Sequence, residues 1–431
     1  MAPPPRKAAL AALTGATLEW YDFFLYGTAS ALIFNKQFFP SLSPAAGTLA
    51  AFSTFAVGFV ARPLGGLVFG HFGDRVGRRS MLVTSLLLMG IGSTLIGAIP
   101  NFAAIGVWAP VLLVALRVVQ GIGLGGENAG ANLMAMEHAP PGQRNRYAGF
   151  PQMGTPAGLV LANAVFLLTG TAMSRAAFSA WGWRVPFLLS AVLVVVGLVI
   201  RLRVTETPSF SAAVDRHDIV GFPLRQAFSV GAGRLVLTLL AIVANSAVAY
   251  LFMVFSLSYG TTHLGLGRQF LVLAVTGASV LWLVTIPLWT RVADRRGRRT
   301  MFVAGSLALT AWATLFFPLL NTRDDVVVLL ALAGMGLIIP ITHSVQGAIV
   351  ADTFPANVRY SGSSLLLQFG ALLGGGLAPL ISTAVLNATG SSAGVTAYIV
   401  TVCGISLLAS FALFRPRPVP AAPAVALGTA V

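Results

Sequence analysis

The chain has 431 residues, of which 56% are apolar and 9% charged, with a net charge of +15 and a mean hydropathy of +0.85. Soluble globular chains carry about 25% charged residues, so this composition excludes a soluble domain and predicts an all-α membrane protein, its apolar segments near the ~20 residues that cross a bilayer. The single cysteine, Cys403, excludes an internal disulfide and a thiolate metal cluster, and the five histidines show no ligand spacing, so neither metal nor cofactor is expected.

Taken in chain order, MAPPPRKAAL opens an apolar run that Glu19 and Asp22 interrupt and that then continues. A retained first helix is expected there rather than a cleaved leader. In GATLEWYDFFLYG, residues 15–27, Glu19, Asp22 and Tyr26 fall at i, i+3 and i+7. That spacing puts them on one helix face, expected to look into a cavity, with Trp20, Phe23 and Phe24 beside it on neighbours or lipid. Arg62 follows in the second span, directly before Pro63, where a helix bends or loses a bond. It is a candidate for substrate binding or gating, or for pairing with Glu127. The loop FGHFGDRVGRRSM, residues 69–81, holds Gly70, Asp74, Arg75, Gly77, Arg78 and Arg79. RVVQGIGLGGE, residues 117–127, starts with Arg117 and ends with Glu127, and Asn128 comes next. A guanidinium at Arg117 can grip a carboxylate with two hydrogen bonds or serve as counter-ion to Glu19 or Asp22. Glu127 sits among small residues that let helices approach closely, and either structural pairing or proton coupling suits it.

Beyond these, polar side chains punctuate the apolar runs: Gln152 and Asn163 on the fifth span, Asn245 and Tyr250 on the seventh, His343 and Gln346 on the tenth, Gln368 on the eleventh. Each bonds a neighbouring helix or lines a substrate cavity. Residues 201–234 form the longest polar stretch and read as a linker too short to be a separate domain. The expected organisation is a bundle over 1–200, the linker 201–234, a second bundle over 235–414 and a tail over 415–431.

WTRVADRRGRRTM, residues 289–301, aligns without a gap on residues 69–81 and matches it at six of 13 positions, 220 residues later. The second copy supplies Asp294, Arg295, Gly297, Arg298 and Arg299. MEHAPPGQRNRYAG and ADTFPANVRYSG repeat in the same way, with Arg146 and Arg359 213 residues apart. Two six-helix halves of equal orientation follow, a known transporter plan. Numbering loops alternately from an inner N-terminus puts 20 of the 27 Lys and Arg residues in inner segments and five in outer loops. Twelve apolar segments of spanning length predict 12 spans, and the positive-inside rule then puts both termini in the cytoplasm. The repeated glycines permit a tight turn. The repeated Asp among arginines reads as an ionic latch, against the plainer alternative of headgroup anchoring.

GxxxDRxGRR between helices 2 and 3, repeated between 8 and 9, resembles the signature of the major facilitator superfamily. RVVQGIGLGGE is similar to its helix-4 motif. LEWYDFFLYG, FVARPLGG, WGWRVPF and RVTETPSF resemble the metabolite:proton symporter branch, which includes shikimate, α-ketoglutarate, citrate and proline/betaine carriers. Two positions depart from the pattern: Asn128 stands where many members have an aromatic, and Thr290 stands where the first loop copy has Gly70. The resemblance implies a monomeric, multi-pass protein of the bacterial inner membrane that carries a small organic acid or related metabolite.

Five ionisable groups fall within spans by this reading: Glu19, Asp22, Arg62, Arg117 and Glu127, all in the first half. Exposing each to lipid costs about 2.5–3.5 kcal/mol, so they face inward. Three acids against two arginines leave one negative charge, which one proton cancels. Proton coupling through Glu19, Asp22 and Glu127 is therefore expected; the alternative is a static ion-pair network. No enzyme motif and no P-loop occurs. The expected function is a secondary transporter coupling protons to a small polar metabolite by alternating access. A proton-driven exporter and a non-transporting solute receptor are the alternatives. No nucleic-acid partner is expected, because the basic charge follows the topology.

Overall fold

A computed structural model describes residues 5–76, 78–137, 139–140, 142–202, 231–355 and 359–414. Every regular element among them is a helix. Twelve long helical runs follow one another: α1 (Pro5–Ala29), α2 (Pro44–Val76), α3 (Arg78–Ala98), α4 (Trp108–Glu137), α5 (Arg144–Thr171), α6 (Val185–Leu202), α7 (Ala232–Thr262), α8 (Arg268–Arg296), α9 (Arg298–Leu320), α10 (Asp325–Ala351), α11 (Arg359–Thr389) and α12 (Ser392–Leu413). Eleven of them, α2 to α12, are long and apolar enough to cross a membrane. The exception is α1, whose middle carries Glu19 and Asp22. Helix α6 runs on to Leu202 and α7 begins at Ala232, while the linker motif RVTETPSF and the tail 415–431 lie outside the described residues.

The helices pack in a pattern that occurs twice. In the first set α1 lies along α5, α2 along α4, and α3 along α6; in the second α7 lies along α11, α8 along α10, and α9 along α12. The two sets meet through α2 on α11 and α5 on α8, which are corresponding pairs. Small residues allow the closest crossings. A side chain at Gly125 would run into the backbone of Arg62 and Gly66, so α2 and α4 touch backbone to backbone. Gly297 takes φ 86° between α8 and α9, a left-handed conformation that favours glycine, and the chain reverses there.

Among the described residues three π-helical turns interrupt the long helices, at Ser30–Phe34 after α1, Leu251–Phe255 in α7 and Ala371–Gly376 in α11. The first two are 221 residues apart, in the register of the repeated loops. Such turns leave the regular hydrogen-bond ladder and often mark functional sites.

Candidate functional site

The acids of α1 do not share one cavity with the surface between the two sets. They look into the first set. Asp22 accepts a hydrogen bond from Ser190 of α6 and lies within electrostatic reach of Arg117 on α4. Glu19 is 1% exposed, its Oε1 has no hydrogen bond, and Arg62 and Arg201 are the cations near it. Tyr26 donates to Thr54 of α2 at 2.6 Å. The i, i+3, i+7 face is therefore real, but it turns inward on the bundle rather than onto an open path.

The neighbouring face of α1 is aromatic and meets the second set. The rings of Phe23 and Phe24 lie 5.7 and 5.9 Å from that of Tyr250 on α7, and Phe59 of α2 lies 5.1 Å from it. Trp20 stacks on Phe24 at 5.2 Å. Of the two surroundings expected for these rings, neighbours and lipid, the structure places them on neighbours.

Arg62 and Arg117 flank this aromatic cluster. The Arg117 guanidinium carbon is 4.1 Å from the Tyr26 ring centre and 4.6 Å from that of Phe23. Arg62 is 5.3 Å from Phe23 on its own side. Desolvated cation–π contacts of this kind contribute about 2 kcal/mol. Hydrogen bonding is incomplete in both. Arg117 donates from Nη1 to Gln120 at 3.0 Å, and Gln120 in turn to Ser93 at 2.6 Å. Its Nε and Nη2 have no partner. Arg62 donates from Nε to Gln368 of α11 at 2.8 Å, and its Nη1 has none. The Tyr250 hydroxyl turns to the Arg62 guanidinium and lies within electrostatic reach of both arginines. Buried polar groups are nearly always paired, so the three guanidinium nitrogens left without a partner on two neighbouring arginines need an explanation.

Glu127 requires a correction. Its pairing with Arg62 is not seen: Glu127 forms an ion pair with Arg201 at the end of α6 and accepts from Ser85 at 3.3 Å. Arg201 is 7% exposed. It counts among the inner-segment arginines in the sequence, because a basic residue ending an apolar run looks like a topology marker. Buried, it makes three arginines against three acids, so the cluster is neutral with every group ionised and the expected surplus negative charge disappears. Among the described residues the second set buries no Asp, Glu, Lys or Arg.

In the second set, Asn245 ties α7 to α10. It donates to Gln346 at 2.8 Å and to His343 Nδ1 at 3.1 Å, and accepts from Thr342 at 2.7 Å. His343 meets Trp282 edge to face at 5.1 Å. Gln152 lies across the junction of α5 and α10, its amide against Gly347. Asn163 accepts from Thr28 and donates to Thr276 of α8, both at 3.1 Å. These amides bridge helices and stand apart from the two arginines. The side chains of Asn128, Asp74, Arg75, Arg78 and Arg79, and Gly77, lie outside the described residues, and Gly70 falls within α2.

The end carrying the repeated loops is closed by polar contacts. Helix α4 breaks at Gly126 and resumes at Glu127, and the carbonyls around the break face α11. Tyr360 donates to the Gly126 carbonyl at 2.6 Å, and Ser364 and Gln368 each donate to that of Gly125 at 3.0 Å. These residues recur every four positions, one helix stripe. Beside them Asn145 of α5 donates to Asp294 at 2.6 Å and accepts from Arg298, which also pairs with Asp352. Arg295 and Arg299 of the same loop are exposed. Asn145, Asp352, Tyr360 and Ser364 carried no signal of their own in the sequence; only the repeat around Arg146 and Arg359 pointed to this region. At the opposite end a cavity of about 210 Å³ opens between α2, α7 and α11, lined by Asn35, Thr48, Tyr259, His263, Thr383 and Asn387.

The family model described as Major Facilitator Superfamily matches residues 12–366 and 273–430. The chain is 39% identical to the inner membrane metabolite transport protein YhjE of Escherichia coli, covering 94% of this chain and 92% of that protein. It is 38% identical to the shikimate transporter of Escherichia coli, over 94% and 93%. With the proline/betaine transporter of Salmonella typhimurium it shares 31% identity, over 95% and 83%. The fold is similar to that of the proton:xylose symporter XylE bound to 6-bromo-6-deoxy-D-glucose, with a TM-score of 0.76 and 19% identity over 96% of each chain.

Proposed function

We propose, from the premise that this chain belongs to the Major Facilitator Superfamily of membrane transporters, that it takes up a small carboxylate metabolite together with protons. Arg62, Arg117 and Tyr250 bind the carboxylate at the junction of the two helix sets. The observation behind this reading is the unpaired Nε and Nη2 of Arg117 and Nη1 of Arg62, with the Tyr250 hydroxyl beside them. A carboxylate accepts bonds of this kind in pairs from a guanidinium, and the aromatic walls exclude water from it.

Asp22 supplies the coupling. Its carboxylate and that of the substrate draw on the same Arg117 guanidinium. A proton on Asp22 leaves the arginine's charge to the substrate; loss of that proton returns it. Binding of proton and substrate thereby favour each other, as symport needs, and alternating closure of the two ends moves both. The loop-bearing end is cytoplasmic by the basic-residue rule, α1 is the twelfth span, and both termini are inside. The two sets are the parallel six-helix halves, 1–200 and 235–414, of a monomer in the bacterial inner membrane. The contacts of Asp294 and Arg298 with Asn145 form the inner latch.

The test uses the full chain in liposomes with an imposed proton gradient and labelled shikimate, 2-oxoglutarate, citrate, proline and glycine betaine. Accumulation of a carboxylate, abolished by a protonophore, is expected. Asp22→Asn should lose accumulation while counterflow at equal pH persists. Accumulation of none of the acids, or undiminished accumulation by Asp22→Asn, rejects the reading.

A further inference from the structure

Arg201 has more neighbours than a brace needs. One guanidinium nitrogen pairs with Glu127, and another donates to the carbonyl of Leu82 on α3. Glu19, with its unbonded Oε1, lies within electrostatic reach of the same group. A Cβ on Gly15, one turn before Glu19, would sit 2.9 Å from Arg201 Nη2. The guanidinium thus rests on the α1 backbone between the two acids. A cavity of about 30 Å³ reaches it from the first turns of α1, passing Ala11 and Ala12 and ending on Glu127 and Arg201. That is room for a water molecule, with charged partners to hold it.

We propose that Arg201 is a positioning residue, a counter-ion shared in turn by Glu127 and Glu19, and that the cavity beside it is the proton port of the loop-bearing end. The proposal rests on the proton-coupled reading above. With the proton on Glu19, Arg201 pairs with the Glu127 carboxylate, the arrangement seen here. The Glu19 O–H bond then breaks, the proton passes to Glu127 as an O–H bond forms there, and Arg201 turns to the Glu19 carboxylate. The three groups sum to zero charge before and after this transfer. Glu127 next yields its proton to water at the port, and Arg201 returns. Arg62, also near Glu19, holds that carboxylate's position, and Ser85 holds the second oxygen of Glu127. No comparable buried trio exists in the second set among the described residues, so the port belongs to one half alone.

Full-length protein in liposomes separates this role from a static brace, with labelled shikimate or whichever acid of the panel the wild type accumulates. Arg201→Gln is expected to cut gradient-driven uptake by roughly a hundredfold, the low end of what a positioned proton-transfer group supplies, while counterflow at equal pH persists. Because that change strands Glu127, the double variant Glu127→Gln/Arg201→Gln, with no lone buried charge, should show the same split; Arg201→Lys should restore part of the driven uptake. Wild-type driven uptake in the double variant overturns the proposal, as does a parallel fall of both activities in single and double. A wild type that accumulates nothing refutes the carrier reading instead. Access to the port is read without substrate: Ala131→Cys, placed in the cavity lining, in a Cys403→Ser background should bind silver ion, small enough for a water-sized cavity, added from the loop-bearing side. Absence of that binding also overturns the port.

Discussion

Arg117 spends one nitrogen on Gln120 and leaves two unbonded. A lysine at this position keeps the charge and loses the fork. A hydrogen bond to a charged group contributes about 1.5–3 kcal/mol, so Arg117→Lys should raise KM for the transported acid roughly tenfold or more while the protein still folds and inserts. An unchanged KM removes Arg117 from the binding shell. Tyr250→Phe offers a second probe, because it removes only the hydroxyl beside Arg62; its KM should rise by roughly tenfold or more, the worth of one hydrogen bond to a charged carboxylate. The residue scale is also where the sequence reads best and fails most instructively. Glu19, Asp22 and Tyr26 are legible as one stripe because helical spacing alone decides it. Which way the stripe turns is not, because that depends on which helices α1 meets. Arg201 escapes notice for a similar reason: a span's last turn and the loop after it look alike until Glu127 of α4 is seen packed against it.

At the scale of elements, the stripe Tyr360, Ser364 and Gln368 closes on the carbonyls bared where α4 breaks at its glycines. The sequence shows the glycines and the amide but not their meeting, since 243 residues separate Gln368 from Gly125. The π-helical turns were equally hidden; apolar periodicity marks where a helix runs and says nothing of one inserted residue. Tyr360→Phe with Ser364→Ala deletes two bonds of this closure, about 1–3 kcal/mol together, and should shift the balance toward the form open at the loop-bearing end by roughly tenfold. Spin labels at the exposed positions 146 and 295, one on each set, report it as a longer distance. An unaltered distance distribution in that variant assigns the closure elsewhere.

For the whole molecule, the packing plan occurs twice while, among the described residues, charge is buried in the first set alone. The second set therefore serves as a largely neutral partner against which the charged first set moves, and it supplies Tyr250 and Gln368 to the junction. The twofold plan was legible in the repeated loops 69–81 and 289–301; the neutrality of the second set followed from the absence of acids in its apolar runs. The two closures of the path differ in kind. Toward the loops they are hydrogen bonds and ion pairs. Toward the other end Phe23, Phe24 and Phe59 lie on Tyr250, with the Asn163–Thr276 bond as the polar contact between α5 and α8. Contacts between apolar surfaces weaken as water grows colder, and hydrogen bonds lack that dependence. Chilling should consequently loosen one mouth and spare the other: labels at 36 and 323 drift apart on cooling while those at 146 and 295 hold their spacing. Such a carrier would wait in the cold with its loop-free mouth ajar, slow to turn.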